Sequence, residues 1–112
     1  MTPEQAYRKA YEAGKRLPKL EHIVLRSPSY AYLYALDVIK GRWIEAEDLI
    51  MNYSLESYSY AQNVIKGKLP EKMHNMMILH AIKNSNDIWV KAYFDSESRY
   101  SEGSSSLVDK SN

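Results

Sequence analysis

The chain has 112 residues, 45% of them hydrophobic and 26% charged, with no cysteine and a formal net charge of +1. That suits one small core and not two. It excludes a disulfide framework or thiolate metal site and falls short of the basic excess of a dedicated nucleic-acid domain.

The helical signals begin at the first residues. Thr2-Pro3-Glu4-Gln5 reads as an N-cap, a proline at the first helical position and a capping-box partner, opening a helix over 3–13. Pro18 opens a second helix, over 18–26, with Leu20, Ile23 and Val24 on one stripe. Ser27-Pro28 repeats the cap-plus-proline signal before a helix over 28–40, where Tyr32, Ala35, Leu36 and Ile39 fall at i, i+3, i+4 and i+7. Further helices are predicted over 43–52, over 54–66 with Ser54 as cap, over 70–83 with Leu69, Met73, Met76 and Met77 on one stripe, and over 86–95. Gly14, Gly41 and Gly67 stand where the first helix of each pair ends, and each is expected to supply the left-handed residue such ends prefer. The predicted interior is Tyr7, Ile23, Tyr32, Ala35, Ile39, Leu49, Tyr58, Ala61, Ile65, Met76 and Trp89.

The chain repeats itself. Tyr34-Ala35-Leu36-Asp37-Val38-Ile39-Lys40-Gly41-Arg42 returns 26 residues later as Tyr60-Ala61-Gln62-Asn63-Val64-Ile65-Lys66-Gly67-Lys68. At the same offset, Glu21-His22-Ile23-Val24-Leu25 aligns with Glu47-Asp48-Leu49-Ile50-Met51 and with Met73-His74-Asn75-Met76-Met77. Tyr7 to Lys15 echoes the motif with about two residues missing, and Trp89-Val90-Lys91-Ala92-Tyr93 reads as another first half. The fold expected over 1–95 is therefore all-α: three two-helix repeats of about 26 residues and a closing helix, about seven helices, stacked as a small α-solenoid or compact bundle. Residues 96–112 carry seven serines and few apolar side chains, and are expected to form a disordered, Ser-rich tail.

Tyr30-Ala31-Tyr32-Leu33-Tyr34-Ala35-Leu36-Asp37-Val38-Ile39-Lys40-Gly41-Arg42-Trp43-Ile44-Glu45-Ala46-Glu47 resembles a tandem repeat of bacteriophage and large DNA virus proteins, roughly Tyr-Ala-x-x-Tyr-Ala-x-x-Val-Ile-x-Gly-Arg-Trp-x-Glu-Ala-Glu. The second copy departs from it, with Lys68-Leu69 for Arg-Trp and Glu71-Lys72-Met73 for Glu-Ala-Glu. The resemblance implies a helical repeat and a viral origin, and it carries over no catalytic residue.

The strongest binding candidates are the repeated basic turns: Lys15, Arg16, Lys40, Arg42, Lys66 and Lys68, with Trp43 beside them. Regular stacking lines these turns along one edge, as a cationic stripe for phosphates or an acidic protein. A lysine in a last helical turn also complements the helix dipole, a role that needs no ligand. His22, His74 and His80 lack metal-ligand spacing. Glu45, Glu47 and Asp48 read as a solvated first helical turn, and the Met73-to-Leu79 stretch as core. No phosphate loop, nucleophile elbow or Cys/His dyad occurs. The expected function is a non-catalytic protein-interaction module, binding a host or viral protein or a second copy of itself, with no cofactor or metal. The alternative is a nucleic-acid binder acting through the basic turns. No apolar run approaches the roughly 18–20 residues of a membrane span, and Met1-Thr2-Pro3-Glu4 lacks the pattern of a signal peptide. A cytoplasmic location is expected, the host's if the chain is viral.

Overall fold

The computed structural model describes residues 1–96, and these are all-helical; the tail expectation falls almost wholly outside them. α1 (Pro3–Ala13) opens on the predicted capping box, with Thr2 Oγ1 accepting the Gln5 N–H and Gln5 Oε1 accepting the Thr2 N–H. α2 (Pro18–Val24) follows. α3 (Pro28–Tyr34), capped by Ser27, runs on into a π-helical turn, Ala35–Ile39. α4 is Ile44–Ile50; α5 (Ser54–Tyr60) again runs into a π-turn, Ala61–Ile65. α6 (Glu71–Lys83) is the longest among the described residues, and α7 covers 88–96. Asp87 caps α7 by accepting the Trp89 and Val90 N–H groups. Ser54 does not cap α5: the N-cap is Tyr53, and no side chain bonds there.

The odd-numbered helices pack side by side, α1 on α3 and α3 on α5, and each packs on the even-numbered helix after it. The fully buried residues are mostly small or hydroxyl-bearing: Ala6, Ala10, Ala31, Ala35, Ala46 and Ala61, with Tyr34, Tyr60 and Tyr93. Alanines at the contacts let helices approach closely. Val24, Trp43, Ile50, Leu69, Met73, Met77 and Val90 fill the rest.

This corrects the phase of the predicted interior by one or two residues. Ala35 and Ala61 are buried as expected, but Val24, Tyr34, Ile50, Tyr60, Met77 and Val90 take the places given to Ile23, Tyr32, Leu49, Tyr58, Met76 and Trp89. Tyr7, Ile23, Tyr32, Ile39, Leu49, Tyr58 and Ile65 flank the core, half-buried. The two sets are alike in residue type and differ in helical phase: the alanines fix the closest helix face, and the Tyr34 and Tyr60 hydroxyls on that face find internal acceptors.

The repeat register is also corrected. Ala6 and Ala10 of α1 correspond to Ala31 and Ala35, an offset of 25, whereas Leu17 corresponds to Trp43, an offset of 26. The first unit thus lacks one residue, not two. The Lys15 N–H closes α1 onto the Ala10 carbonyl, five residues back. The Gly41 and Gly67 N–H groups close onto Ala35 and Ala61, six residues back. The extra residue is absorbed by the π-turn, the usual way a helix takes an insertion.

Candidate functional site

The basic turns lie where α1, α3 and α5 end, and their side chains divide into two groups. The arginines are consumed internally. Arg16 forms a two-pronged ion pair with Glu21, both bonds 2.8 Å. Arg42 does the same with Glu47, at 2.7 and 2.9 Å. Each carboxylate also accepts a hydroxyl from the next unit: Tyr34 Oη donates to Glu21 and Tyr60 Oη to Glu47, both at 2.7 Å. The same hydroxyls accept the N–H that precedes the neighbouring even-numbered helix, Leu17 to Tyr34 at 3.0 Å and Trp43 to Tyr60 at 2.9 Å. Neither α2 nor α4 has a side-chain cap of its own. A buried tyrosine from the following unit caps each one, and a guanidinium holds its acceptor in place.

The electrostatics follow. The Arg16 guanidinium holds the Glu21 carboxyl below its usual range, with the Tyr34 hydroxyl acting the same way against burial. Burial first, and then the bond to Glu21, push the Tyr34 hydroxyl up to about 12. Burial and Glu47 raise Tyr60 in the same direction. Glu47, expected to be solvated, is buried at 7% exposure, because it completes this lock. Trp43, grouped with the exposed binding residues from sequence, is 1% exposed, its ring 4.7 Å from that of Tyr34. Its Nε1 has no partner among the described residues, and the structure offers no account of that.

The third unit changes the chemistry. The Leu69 N–H donates to Tyr93 Oη at 3.1 Å, in the pattern of the other two, but the group 2.6 Å from that hydroxyl is His74 Nδ1. α6 starts one residue late relative to α4, so His74 falls where Glu47 stands in the second unit. Tyr93 comes from α7, and Phe94 also packs edge-on against the imidazole. His80 is held by the Met51 carbonyl at 2.9 Å, and His22 is exposed. Among the described residues no cluster of three or more His, Cys, Asp or Glu is placed for a metal ion.

The lysines form the second group. Lys15, Lys40, Lys66 and Lys68 are exposed and have no ion pair among the described residues. Lys40 and Lys66, not Gly41 and Gly67, adopt the left-handed conformation, each at φ 61°. In the first unit that position is Gly14, at φ 69°, as expected. A left-handed side chain costs roughly 1–2 kcal/mol that glycine avoids. Lys40, Gly41, Lys66, Leu36, Asn63 and Val64 line a groove of about 240 Å³. Lys40 and Leu36 also line its neighbour, about 430 Å³, with Tyr11, Gly14, Asp37 and Val38. Sequence reasoning missed the Tyr–Glu locks; the signal was the shared 26-residue offset of Arg16/Arg42, Glu21/Glu47 and Tyr34/Tyr60.

A separate apolar flank lies at the carboxyl end. α6 runs six residues past Met77, the counterpart of Ile50 at the end of α4. This extension exposes Ile78 (41%), Leu79 (48%) and Ile82 (73%), and α7 adds Ile88 (64%). At the opposite end, α1 exposes Glu4, Arg8, Lys9 and Glu12, with Glu4 and Arg8 ion-paired. Among the described residues no helix is long and apolar enough to cross a membrane. No protein-family model, curated protein or solved structure matches this chain.

Proposed function

We propose that this chain is a non-catalytic protein-interaction module that docks a partner protein through the flank of α6 and α7. The observation that carries this reading is the extension of α6. The two shorter even-numbered helices end once their core residues are placed, at Val24 and Ile50. α6 continues, and of the added residues His80 and Ala81 turn inward while Ile78, Leu79 and Ile82 are exposed. Clustered exposed apolar side chains mark protein-binding surfaces. The viral origin implied by the repeat belongs to the same proposal, with a host or viral protein, or a second copy, as the partner. The nucleic-acid alternative has less support, since Glu21 and Glu47 neutralise two of the six turn cations.

The test compares the wild-type chain with a Leu79→Glu/Ile82→Glu variant, both positions being exposed so that the fold tolerates the change. Affinity capture from host cells should recover a partner with the first and lose it with the second. Sedimentation velocity should detect a second copy as a concentration-dependent dimer abolished by the same variant. Equal behaviour of the two proteins in both measurements removes the reading.

A further inference from the structure

We propose that the groove lined by Lys40, Gly41 and Lys66 is a binding site for an extended acidic peptide segment, separate from the α6–α7 flank. The first unit supplies the internal control. Its turn reads Gly14-Lys15-Arg16, with glycine in the left-handed position and lysine after it. The second and third turns hold the same two residue types in reverse order, Lys40-Gly41 and Lys66-Gly67. The backbone conformation is nevertheless shared: φ is 69° at Gly14 and 61° at both lysines.

The exchange does nothing for the fold. It puts a side chain where glycine is favoured, and the glycines use no special freedom: neither Gly41 nor Gly67 is left-handed. A Cβ on either would meet no atom within 4 Å. The helix dipole does not require it either, since the first unit keeps a lysine at its turn beside the glycine. Residues held in sparsely populated conformations against a cheaper alternative concentrate where something is bound. Here the reversal occurs twice, at both lysines lining one groove. It places two lysines, with Gly41, in the lining of that groove.

The lining defines the ligand. Leu36 and Val64 provide an apolar surface. Asn63 Nδ2 donates to Tyr32 Oη at 2.8 Å, which leaves Oδ1 as an acceptor. A peptide backbone has N–H donors for that oxygen; a phosphodiester backbone has none. Lys40 and Lys66 suit carboxylates on either side of one apolar side chain. In the neighbouring groove the Asp37 carboxylate accepts the Tyr7 hydroxyl at 2.6 Å and presents acceptor oxygens. The acidic residues of the ligand therefore belong between the lysines and not beyond Lys40.

The test is selection from a random 12-residue peptide display library on the full chain, with the oligonucleotide (dT)12 as a second probe. Enriched peptides should carry at least two Asp or Glu around a Leu, Ile or Val. Lys40→Gly/Lys66→Gly should lower their affinity at least tenfold while raising Tm by a few degrees, so the loss is not one of folding. Gly41→Val should lower affinity at unchanged Tm, and Leu79→Glu/Ile82→Glu should leave peptide binding intact. Four results overturn the proposal: no enrichment, enrichment without acidic residues, affinity indifferent to the lysine variant, or lysine-dependent binding of (dT)12 alone. None of them bears on the flank, whose capture test is independent.

Discussion

The second and third units fasten the same backbone position with different groups. In the second, Tyr60 bridges the Trp43 N–H to Glu47, a buried carboxylate clamped by Arg42. In the third, Tyr93 bridges the Leu69 N–H to the His74 imidazole, and Lys68, at the position of Arg42, has no ion pair among the described residues. What the two share is a hydroxyl that receives an N–H and sits within 2.7 Å of an acceptor-capable group. The repeat therefore needs a polar partner for its buried tyrosine, and a charged pair is one way to provide it. In the third unit the tyrosine is also reached differently. It lies 24 residues after its N–H partner instead of 17, across the longer α6.

The largest effect that sharpens this comparison is expected from Glu47→Ala. It strands a buried hydroxyl and removes the partner of Arg42, and should cost about 3 kcal/mol in urea unfolding. Glu47→Gln keeps an acceptor for Tyr60 and should cost roughly half as much. His74→Ala removes an imidazole partner and should cost about 1–2 kcal/mol. If His74→Ala proved as damaging as Glu47→Ala, the clamp by Arg42 would add nothing and the two locks would be equivalent.

Titration tests the first two locks next. Tyr34 is held neutral, its hydroxyl pushed up to about 12, and Tyr60 and Tyr7 are raised in the same direction. A tyrosine raised in the folded state favours folding fully below the unfolded value of about 10, and that contribution is lost as pH rises toward the folded value. Thermal stability should fall between about pH 10 and 12. Glu21 runs the opposite way: lowered by Arg16, it stabilises above the unfolded carboxyl value of about 4.3, and that support disappears as pH falls below it. Circular dichroism melts across both ranges check the signs. A Tm flat from pH 9 to 12 would mean that these hydroxyls are not held as the geometry indicates.

The smallest expected effect compares the first turn with the second. Exchanging Lys40-Gly41 for Gly-Lys restores the order of Gly14-Lys15 and relieves the left-handed side chain, and should stabilise by about 0.5–1 kcal/mol. The reverse exchange at Gly14-Lys15 should destabilise by a similar amount. Equal stability of both variants with wild type would show that the π-turn removes the left-handed penalty, and would weaken the case for a ligand at the lysine edge.

The sequence by itself determined the helical class, the seven helices of the described residues to within about two residues at most ends, and the two-helix period. These depend on local rules: prolines and Thr2 or Ser27 start helices, and apolar residues recur at helical spacing. Tertiary structure decided which face was innermost, since neighbouring apolar residues of equal size, such as Tyr32 and Tyr34 or Met76 and Met77, are separated only by what the next helix offers them. It decided that Arg42 and Glu47 pair across a turn and meet Tyr60 of the next unit, a contact that periodicity within one helix cannot reveal. It also decided that Lys40 and not Gly41 is left-handed, because the π-turn shifts the helix end by one residue, and hydrogen bonding to Ala35 sets that shift.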